Sequence, residues 1–390
     1  MNTESVAKRR VVVAMSGGVD SSVAAALLVE QGYDVVGMMM RLWSEPGIGA
    51  SAPANRCCTP DQMADARRVA GLLGIPFYVV DVQDHFRQTV VQFFIDEHEY
   101  GRTPNPCIEC NRQIRFTYLL ERALALDADY LATGHYAQVR HTPSGYQLLK
   151  GLDPNKDQSY VLHVLDQEKL GQVLFPIGGY TKAEVRELAQ KFGLPVVSKS
   201  ESQDLCFLGD GNYRRFLQEY SQKASQPGPI LTCNGEELGQ HNGLPFYTIG
   251  QRKGLGISAS VPLFVLRKVV AQNALIVGPK SELGQQTLIA RDVNWLSGQP
   301  PQTPISAQIK IRYKAKGIQG EVVDLGSGRS KVTFHEPVFG VTAGQGAVFY
   351  DGDVCLGGGI IADGVNDLEE TAASLQTAPS LQLANIQVLS

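Results

Sequence analysis

The chain has 390 residues, a net charge of −4 and 43% hydrophobic residues, which is typical of a globular protein of two or three domains. No apolar run approaches the roughly 20 residues that a membrane span needs, and the polar N-terminus lacks the apolar core of a secretory signal. We therefore expect a cytoplasmic protein without a membrane partner. The charge gives no global sign of a nucleic-acid partner, and seven cysteines, an odd number, do not suggest a disulfide framework.

The first part of the chain alternates between apolar strand-like runs and segments with helical spacing. Strands are predicted at residues 10–15, 35–43, 77–82 and 130–133, and helices at 22–30, 61–73, 85–100 and 114–126. A hairpin at 137–150 and helices at 167–174 and 182–192 follow. Strands separated by helices indicate an α/β fold, a doubly wound parallel sheet with helices on both faces.

The sequence changes character after residue 210. Residues 211–285 are short segments punctuated by glycine and predict a small central domain. Residues 286–363 contain short strands with turn signals, which predict a C-terminal β-barrel. The predicted domains are therefore 1–210, 211–285 and 286–363, and residues 364–390 predict a flexible tail to which we assign no function.

A glycine-rich segment, residues 16–21, joins the first strand to the first helix. Its glycines let the backbone turn sharply, and the helix N-terminus offers N–H groups to an anion. The lysine of a Walker loop is absent. Ligands of parallel sheets bind beyond the carboxyl ends of strands, where Ser16, Met40 and Gly134 fall. The segment predicts a phosphate site, and the alternative is a glycine-rich turn with a structural role only.

Three cysteines are candidates for chemistry. Cys107 and Cys110 form a Cys-x-x-Cys motif in a proline-rich stretch that predicts an ordered loop after a helix. Half of a zinc site and a redox pair are both open interpretations, but no second motif completes four ligands and the thioredoxin context is missing. Cys206, considered alone, fits a buried inert thiol.

Four basic residues alternate along an apparent strand, which would place them on one face: Lys310, Arg312, Lys314 and Lys316. A solvated strand face is the simpler interpretation of this pattern. A surface that contacts nucleic acid is the alternative.

Several strings resemble those of the tRNA-specific 2-thiouridylases, a family of the ATP pyrophosphatase (PP-loop) superfamily. In family order they are residues 14–21 (AMSGGVDS), 101–106 (GRTPNP), 132–136 (ATGHY), 156–160 (KDQSY), 205–207 (LCF), 247–257 (YTIGQRKGLGI) and 355–360 (CLGGGI). The resemblance implies an N-terminal sheet like that of the adenine nucleotide alpha hydrolases. It also implies a tRNA-uridine 2-sulfurtransferase that uses ATP to place sulfur on C2 of the wobble uridine.

The resemblance implies binding residues for ATP and for tRNA. The ATP-binding positions are Ala14, Met15, Ser16, Gly17, Gly18, Val19, Asp20, Ser21, Met40 and Gly134. The positions that contact or orient tRNA are Asn105, Pro106, Cys107, His135, Lys156, Asp157, Gln158, Arg312, Tyr313 and Gln345. Mg²⁺ is expected to accompany ATP. The uridine must leave the anticodon stack to reach the ATP. The basic strand then becomes a phosphate-contacting surface.

By the same resemblance, Cys206 carries sulfur as a persulfide and Cys110 is its partner thiol. Adenylation of the C2 oxygen creates a leaving group, the persulfide sulfur attacks C2, and a Cys110–Cys206 disulfide remains. Many family members have an aspartate at the position of Cys107. Three thiolates, Cys107, Cys110 and Cys206, could instead hold an iron–sulfur cluster with an open iron. We favour the persulfide route.

The implied partners are the anticodon stem-loop of tRNA and a sulfur-donor protein or persulfide carrier, and we expect a monomer. Two other functions compete with this interpretation. Another PP-loop ligase or amidotransferase would share the fold but would not need Cys110 and Cys206. A non-catalytic RNA-binding protein would not need the intact phosphate loop.

Overall fold

The computed structural model describes residues 8–45, 59–199 and 205–363, so the predicted tail, residues 364–390, lies outside the described residues. The N-terminal strands are β1 (Arg10–Ala14), β2 (Asp34–Arg41), β3 (Phe77–Asp81), β4 (Tyr130–Thr133), β5 (Ala137–Thr142), β6 (Gly145–Lys150) and β7 (Val173–Leu174). The N-terminal helices are α1 (Val19–Glu30), α2 (Pro60–Leu73), α3 (Gln83–Phe86), α4 (Gln92–Glu99), α5 (Pro106–Glu109), α6 (Leu120–Leu124), α7 (Ser159–Leu162), α8 (Gln167–Gly171) and α9 (Lys182–Lys191). Arg87–Val91 and Cys110–Leu119 are π-helical.

Five of these strands form one parallel sheet in the order β3-β2-β1-β4-β7. Successive side chains of β1 point to opposite faces. Val11 and Val13 pack in a cluster with α1 and α9, whereas Val12 packs with helices from the 83–124 region on the other face. Helices therefore cover both faces, which confirms the predicted doubly wound α/β fold.

The chain from Pro106 to Leu124 is helical throughout, because α5, the π-helical segment and α6 follow one another directly. The Asn105 side chain accepts a hydrogen bond from the Cys107 amide at 3.1 Å and caps the helix, and Pro106 occupies the first helical position. The predicted loop around Cys107 and Cys110 was therefore wrong, since both cysteines lie in the first turns of a helix. Proline suggests a loop, but at the first helical position it favours a helix.

The predicted helix at 167–174 was wrong in its last residues. Helix α8 ends at Gly171, and β7 pairs in parallel with Leu131 and Ala132 of β4. The amide of Leu131 also donates to the carbonyl of Gln172 at 2.9 Å. The open edge of the sheet thus supplies hydrogen-bond partners that the spacing of apolar residues does not reveal.

The remaining residues form a central sheet and a barrel. The central elements are α10 (Tyr213–Tyr220), β8 (Gly228–Thr232), β9 (Glu237–His241), β10 (Phe264–Val269) and β11 (Ala274–Gly278), with sheet order β10-β11-β8-β9. Short 3₁₀ turns lie at Leu244–Phe246, Val270–Gln272 and Lys280–Leu283. The barrel strands are β12 (Gly284–Trp295), β13 (Ile305–Lys310), β14 (Ile318–Gly326), β15 (Arg329–Phe339), β16 (Gly346–Asp351) and β17 (Val354–Ile361).

The barrel closes because β12 pairs with β15 on one side and with β17 on the other. This closure confirms the predicted C-terminal β-barrel. The hairpin β5–β6 adds to the same sheet, since Leu148 and Leu149 pair with Cys355 and Val354 of β17. The hairpin was predicted, but its docking on the barrel was not.

The predicted strand with four basic residues on one face was wrong. Strand β13 ends at Lys310, and Arg312, Lys314 and Lys316 lie in the turn that leads to β14. The pairing of β13 with β14 and β16 stops at Ile309 and Lys310. Alternation of basic residues in this segment therefore reflects a turn rather than a strand face.

Within the part of the chain that the structure describes, no helix combines the length and the apolar character that crossing a bilayer requires.

Candidate active site

The phosphate loop, residues 16–21, leaves the carboxyl end of β1 and enters α1 at Val19. Gly17 has a φ of +71°, and a Cβ there would lie 2.2 Å from the carbonyl oxygen of Gln62. The Ser21 hydroxyl closes the loop by accepting a hydrogen bond from the Ser16 amide at 3.1 Å. Gly18 is the N-cap of α1 and has no side chain to cap it. The first N–H groups of α1 can therefore receive an anion.

Gly134 follows β4 and borders the phosphate loop. A Cβ at Gly134 would lie 2.7 Å from the amide nitrogen of Ser21, so only glycine allows this close approach. Strands β2, β1 and β4 are neighbours, so Met40, Ser16 and Gly134 meet at the carboxyl ends of these strands. The predicted convergence of these three residues is confirmed.

A cavity of about 340 Å³ lies at the carboxyl ends of these strands. Its wall contains part of the phosphate loop together with Cys110, Cys206 and Cys107, whereas the predicted residues Gly17, Gly18, Val19 and Asn105 do not line it. The other predicted site residues in its wall are Ala14, Met15, Ser16, Asp20, Ser21, Met40, Pro106, Gly134, His135 and Gln158. A larger cavity of about 680 Å³ lies between the hairpin β5–β6 and the barrel, and none of the predicted site residues line it.

The three thiols of the cavity sit in different surroundings. Cys107 is exposed in the first turn of α5, Cys110 is buried one turn later, and Cys206 is half-buried. Cys206 lies in a turn that is closed by a hydrogen bond from the Leu208 amide to the Leu205 carbonyl at 3.1 Å. The three thiols therefore line one cavity but differ in exposure.

His135 and Arg115 are the basic residues in the cavity wall. Burial, and then the positive charge of Arg115, lower the pKa of His135 to about 3, so its imidazole is neutral at neutral pH. The imidazole Nδ1 lies 2.7 Å from the Thr133 hydroxyl. Arg115 lines the cavity and donates to the Asn111 side chain at 2.9 Å. The positive charge in the cavity wall therefore comes from Arg115 and not from His135.

Two lysines that the sequence analysis missed contact the phosphate loop. The Lys182 ammonium donates to the Asp20 carboxylate at 2.7 Å, and the Lys199 ammonium donates to the carbonyl of Gly17 at 3.0 Å. Lys199 also forms an ion pair with Asp65. Lys182 occupies the first position of α9, where the helix dipole disfavours a cation. That unfavourable placement is the signal in the sequence that points to a role for Lys182.

Three family profiles match the chain in succession. The tRNA methyl transferase HUP domain matches residues 9–210, the tRNA methyl transferase PRC-barrel domain matches 214–279, and the aminomethyltransferase beta-barrel domain matches 285–361. The tRNA-specific 2-thiouridylase MnmA of Roseiflexus castenholzii is 47% identical over 369 residues, which cover 90% of this chain and 99% of that protein. The MnmA of Magnetococcus marinus is 49% identical over 356 residues, with the same two shares covered.

The chain belongs to the tRNA-specific 2-thiouridylase family. The predicted family is thereby confirmed, and with it the class of enzyme, a sulfurtransferase.

The remaining residues predicted for tRNA do not line this cavity. The Asp157 carboxylate is buried and accepts from the amides of Gly151 and Ser159 and from the Lys310 ammonium. Lys156 is half-buried beside it. Asp157 thus stabilises the backbone conformation of residues 151–159.

Arg312 and Gln345 converge on one loop of the barrel. Arg312 donates to the Gly340 carbonyl at 2.8 Å and to the Thr342 hydroxyl at 3.2 Å. Gln345 donates to the Thr103 carbonyl at 2.7 Å, just before the Asn105 cap. Tyr313 is half-buried, with its ring 6.2 Å from that of Tyr160. A continuous path therefore leads from the barrel loop to the start of the helix that carries the cysteines.

The fit of an iron–sulfur cluster can be judged from the positions of the thiols. Among residues 8–45, 59–199 and 205–363, no three His, Cys, Asp or Glu side chains are grouped so that they could hold a metal ion. Cys107, Cys110 and Cys206 line one cavity but do not form such a group. In this arrangement, the three thiols therefore do not fit a cluster.

Proposed function

We propose that this protein uses ATP to thiolate C2 of the wobble uridine in the anticodon stem-loop of tRNA. One observation carries the proposal: a single cavity contains a phosphate-binding loop and the two thiols Cys110 and Cys206. A nucleotide in the loop and a persulfide on Cys206 would then approach the same carbonyl group of the substrate, the nucleotide at its oxygen and the persulfide at its carbon. Family membership and the names of the relatives support this reaction.

The first step that we propose is adenylation. The C2 oxygen of uridine attacks the α-phosphorus of MgATP, the bond to the β-phosphate oxygen breaks, and pyrophosphate leaves. The backbone N–H groups at the start of α1 would hold the pyrophosphate. Lys182 of α9 and Lys199, which pairs with Asp65 of α2, would add positive charge beside the loop. The carbonyl oxygen of uracil is thereby converted into a good leaving group.

The second step is sulfur transfer. The terminal sulfur of a Cys206 persulfide attacks C2, and the Cys110 thiolate attacks the Cys206 sulfur. The S–S bond of the persulfide breaks, its electron pair stays with the sulfur on C2, and AMP leaves with the former C2 oxygen. The products are 2-thiouridine, AMP and a Cys110–Cys206 disulfide, which a dithiol reductant must reduce before the next turnover.

This persulfide route accords better with the structure than a cluster route, because the three thiols are not grouped as metal ligands. Cys107 would then occupy the position at which, by the family resemblance, many relatives have an aspartate. It is exposed at the mouth of the cavity and at the start of a helix, where a flipped base would arrive. A persulfide carrier protein is the proposed source of sulfur.

Recognition of tRNA would use the path from the barrel loop to the helix start. Arg312 offers a cation near Thr342, and Gln345 fixes the Thr103 segment that precedes Asn105 and Pro106. Contacts of this kind position an RNA backbone without reading its sequence. His135 and Gln158 in the cavity wall would orient the uridine.

The proposal is tested by mass spectrometry of tRNA nucleosides after incubation of the protein with tRNA, MgATP and a persulfide donor. We expect 2-thiouridine that depends on ATP, is absent from tRNA without a wobble uridine, and persists in the control variant Cys233→Ser, whose thiol is exposed and remote from the cavity. If no thiolation occurs in aerobic or anaerobic preparations, the proposal fails and a PP-loop ligase becomes the better interpretation.

A further inference from the structure

The turn that carries Cys206 is held from its C-terminal side by an aromatic cluster. Phe207 is 1% exposed, and its ring centroid lies 6.2 Å from that of Phe86, 5.3 Å from that of Phe94 and 5.5 Å from that of Phe216. Phe86 and Phe207 also line the cavity. A side chain locked in this way fixes the backbone of the adjacent Cys206.

A buried ion pair holds the next residues of the same segment. The Glu45 side chain is 0% exposed and accepts two hydrogen bonds from the Arg215 guanidinium, at 2.7 and 2.6 Å. Arg215 also binds Asp210 at 2.8 Å and Glu219 at 2.9 Å. The amide of Gly209, three residues after Cys206, donates to Glu45 at 3.4 Å. The segment from Cys206 to Arg215 is thus tied to one carboxylate.

The Glu45 carboxylate lies just after the strand that borders the proposed nucleotide site. Glu45 follows β2, and the cavity wall on this side contains Met40 and Leu42. Trp43 follows Leu42 in the chain, and its ring packs edge-on against the rings of Phe216 and Tyr220. The end of β2 and the Cys206 segment therefore pack as one unit.

We infer that the Glu45–Arg215 ion pair is a positioning device that sets the distance of the Cys206 sulfur from the nucleotide end of the cavity. The inference rests on the proposed role of Cys206 as the sulfur carrier. A buried ion pair contributes little net stability compared with apolar packing, but its two parallel hydrogen bonds allow only one geometry. Such a pair is suited to fixing one segment against another.

Loss of the Glu45–Arg215 ion pair is expected to affect the sulfur-transfer step and not the adenylation step. Adenylation needs the phosphate loop, Met40 and Gly134, none of which lies on the Cys206 segment. Sulfur transfer needs the Cys206 sulfur within reach of C2, and a misplacement of about 1 Å can slow such a step about 100-fold. Loss of the ion pair should therefore uncouple sulfur transfer from adenylation.

The test compares Glu45→Gln with Glu30→Gln, which removes the same charge from an exposed ion pair with Lys191. Three quantities are measured on the full chain: pyrophosphate release with tRNA but without persulfide, 2-thiouridine formation in a single turnover, and the rate at which iodoacetamide alkylates Cys206. For Glu45→Gln we expect pyrophosphate release within about 3-fold of the parent, sulfur transfer about 10- to 100-fold slower, and a several-fold change in alkylation. Glu30→Gln should match the parent in all three.

Arg215→Lys serves as a second variant in case Glu45→Gln does not fold, because it keeps the charge but loses the two-point geometry. Equal losses of adenylation and sulfur transfer, or no change in either, would overturn the positioning role. Cys206→Ser is measured in parallel. If Cys206→Ser still thiolates tRNA, the proposed role of Cys206 fails and the inference falls with it. An inactive Cys206→Ser beside a normal Glu45→Gln refutes the inference alone, and a parent protein without thiolation refutes the proposed function.

Discussion

The ammonium group of Lys182 lies 2.7 Å from the carboxylate of Asp20, although the two residues are 162 positions apart in the chain. The Tyr136 hydroxyl donates to the same carboxylate oxygen at 2.8 Å. Asp20 thus keeps a cation beside the phosphate loop before any nucleotide binds. A phosphate that enters the loop meets this cation without paying for a rearrangement of the backbone.

Replacement of Lys182 by methionine should raise the KM for ATP. A hydrogen bond to a charged group contributes about 1.5–3 kcal/mol, which corresponds to an increase of about 10- to 100-fold. The measurement is the ATP dependence of tRNA adenylation. Lys191→Met, on the same helix but with an exposed ion pair, is the control and should leave the KM unchanged. An unaltered KM in Lys182→Met would show that this lysine does not contact the phosphates.

Gly134→Ala should impair ATP binding severely. The added methyl group would lie 2.7 Å from the Ser21 amide and 2.9 Å from the carbonyl carbon of Asp20, both of which are backbone atoms. The start of α1 must then move away from β4, and the N–H groups that face the phosphates move with it. Gly71→Ala is the control, because no atom lies within 4 Å of the added Cβ. ATP affinity can be measured by calorimetry, and equal affinities for the two variants would contradict the close approach.

Stability should fall as the pH is lowered below about 6.5, because burial lowers the pKa of four histidines: to about 3 for His98 and His135, to about 4 for His163, and below its usual value for His241. Their unfolded-state pKa is near 6.5, so the unfolded chain binds more protons below that pH, and each histidine lowers the free energy of unfolding by up to about 1.4 kcal/mol for each unit by which the pH falls. Urea unfolding at several pH values measures the slope. His163→Asn should reduce it by roughly a quarter to a third, and an unchanged slope would indicate that His163 does not titrate as described.

Lys310→Met should destabilise the protein much more than Lys191→Met. Lys310 pairs with Asp157, whose side chain is 3% exposed, whereas both partners of the Lys191–Glu30 pair are more than half exposed. Loss of one partner of a buried pair costs about 3–5 kcal/mol, and loss of an exposed pair costs less than about 1 kcal/mol. Urea unfolding measures both effects. Comparable free energies of unfolding for the two variants would mean that the Asp157 carboxylate finds another partner or remains solvated.

The sequence predicted those features that arise from neighbouring residues. The apolar strand-like runs separated by segments with helical spacing, and the glycine turn after β1, are local patterns, and they predicted the parallel sheet and the phosphate loop. The strings shared with the family then identified Cys110 and Cys206, which the residues alone left open. Both thiols do line the cavity with the phosphate loop.

Features that depend on distant contacts were missed or mistaken. Lys182 acquires its place through Asp20, and Glu45 through Arg215, and no spacing within either segment reveals such a pair. Arg312 was assigned to a strand because basic residues alternate there, but the chain turns after Lys310 and Arg312 bonds to Gly340. Strand β7 exists because β4 offers it an edge. Tertiary partners, which a single sequence does not display, decided each of these cases.

The central claim is that Cys206 carries the sulfur and Cys110 releases it, and single-turnover thiolation tests it most directly. Protein treated with a persulfide donor is mixed with tRNA and MgATP, and pyrophosphate, 2-thiouridine and the mass of the peptides that contain Cys110 and Cys206 are measured. We predict one thiolated uridine for each Cys110–Cys206 disulfide formed in the parent and no 2-thiouridine from Cys206→Ser or Cys110→Ser, with pyrophosphate release retained in both variants. Thiolation by either serine variant at the parent rate would contradict the account.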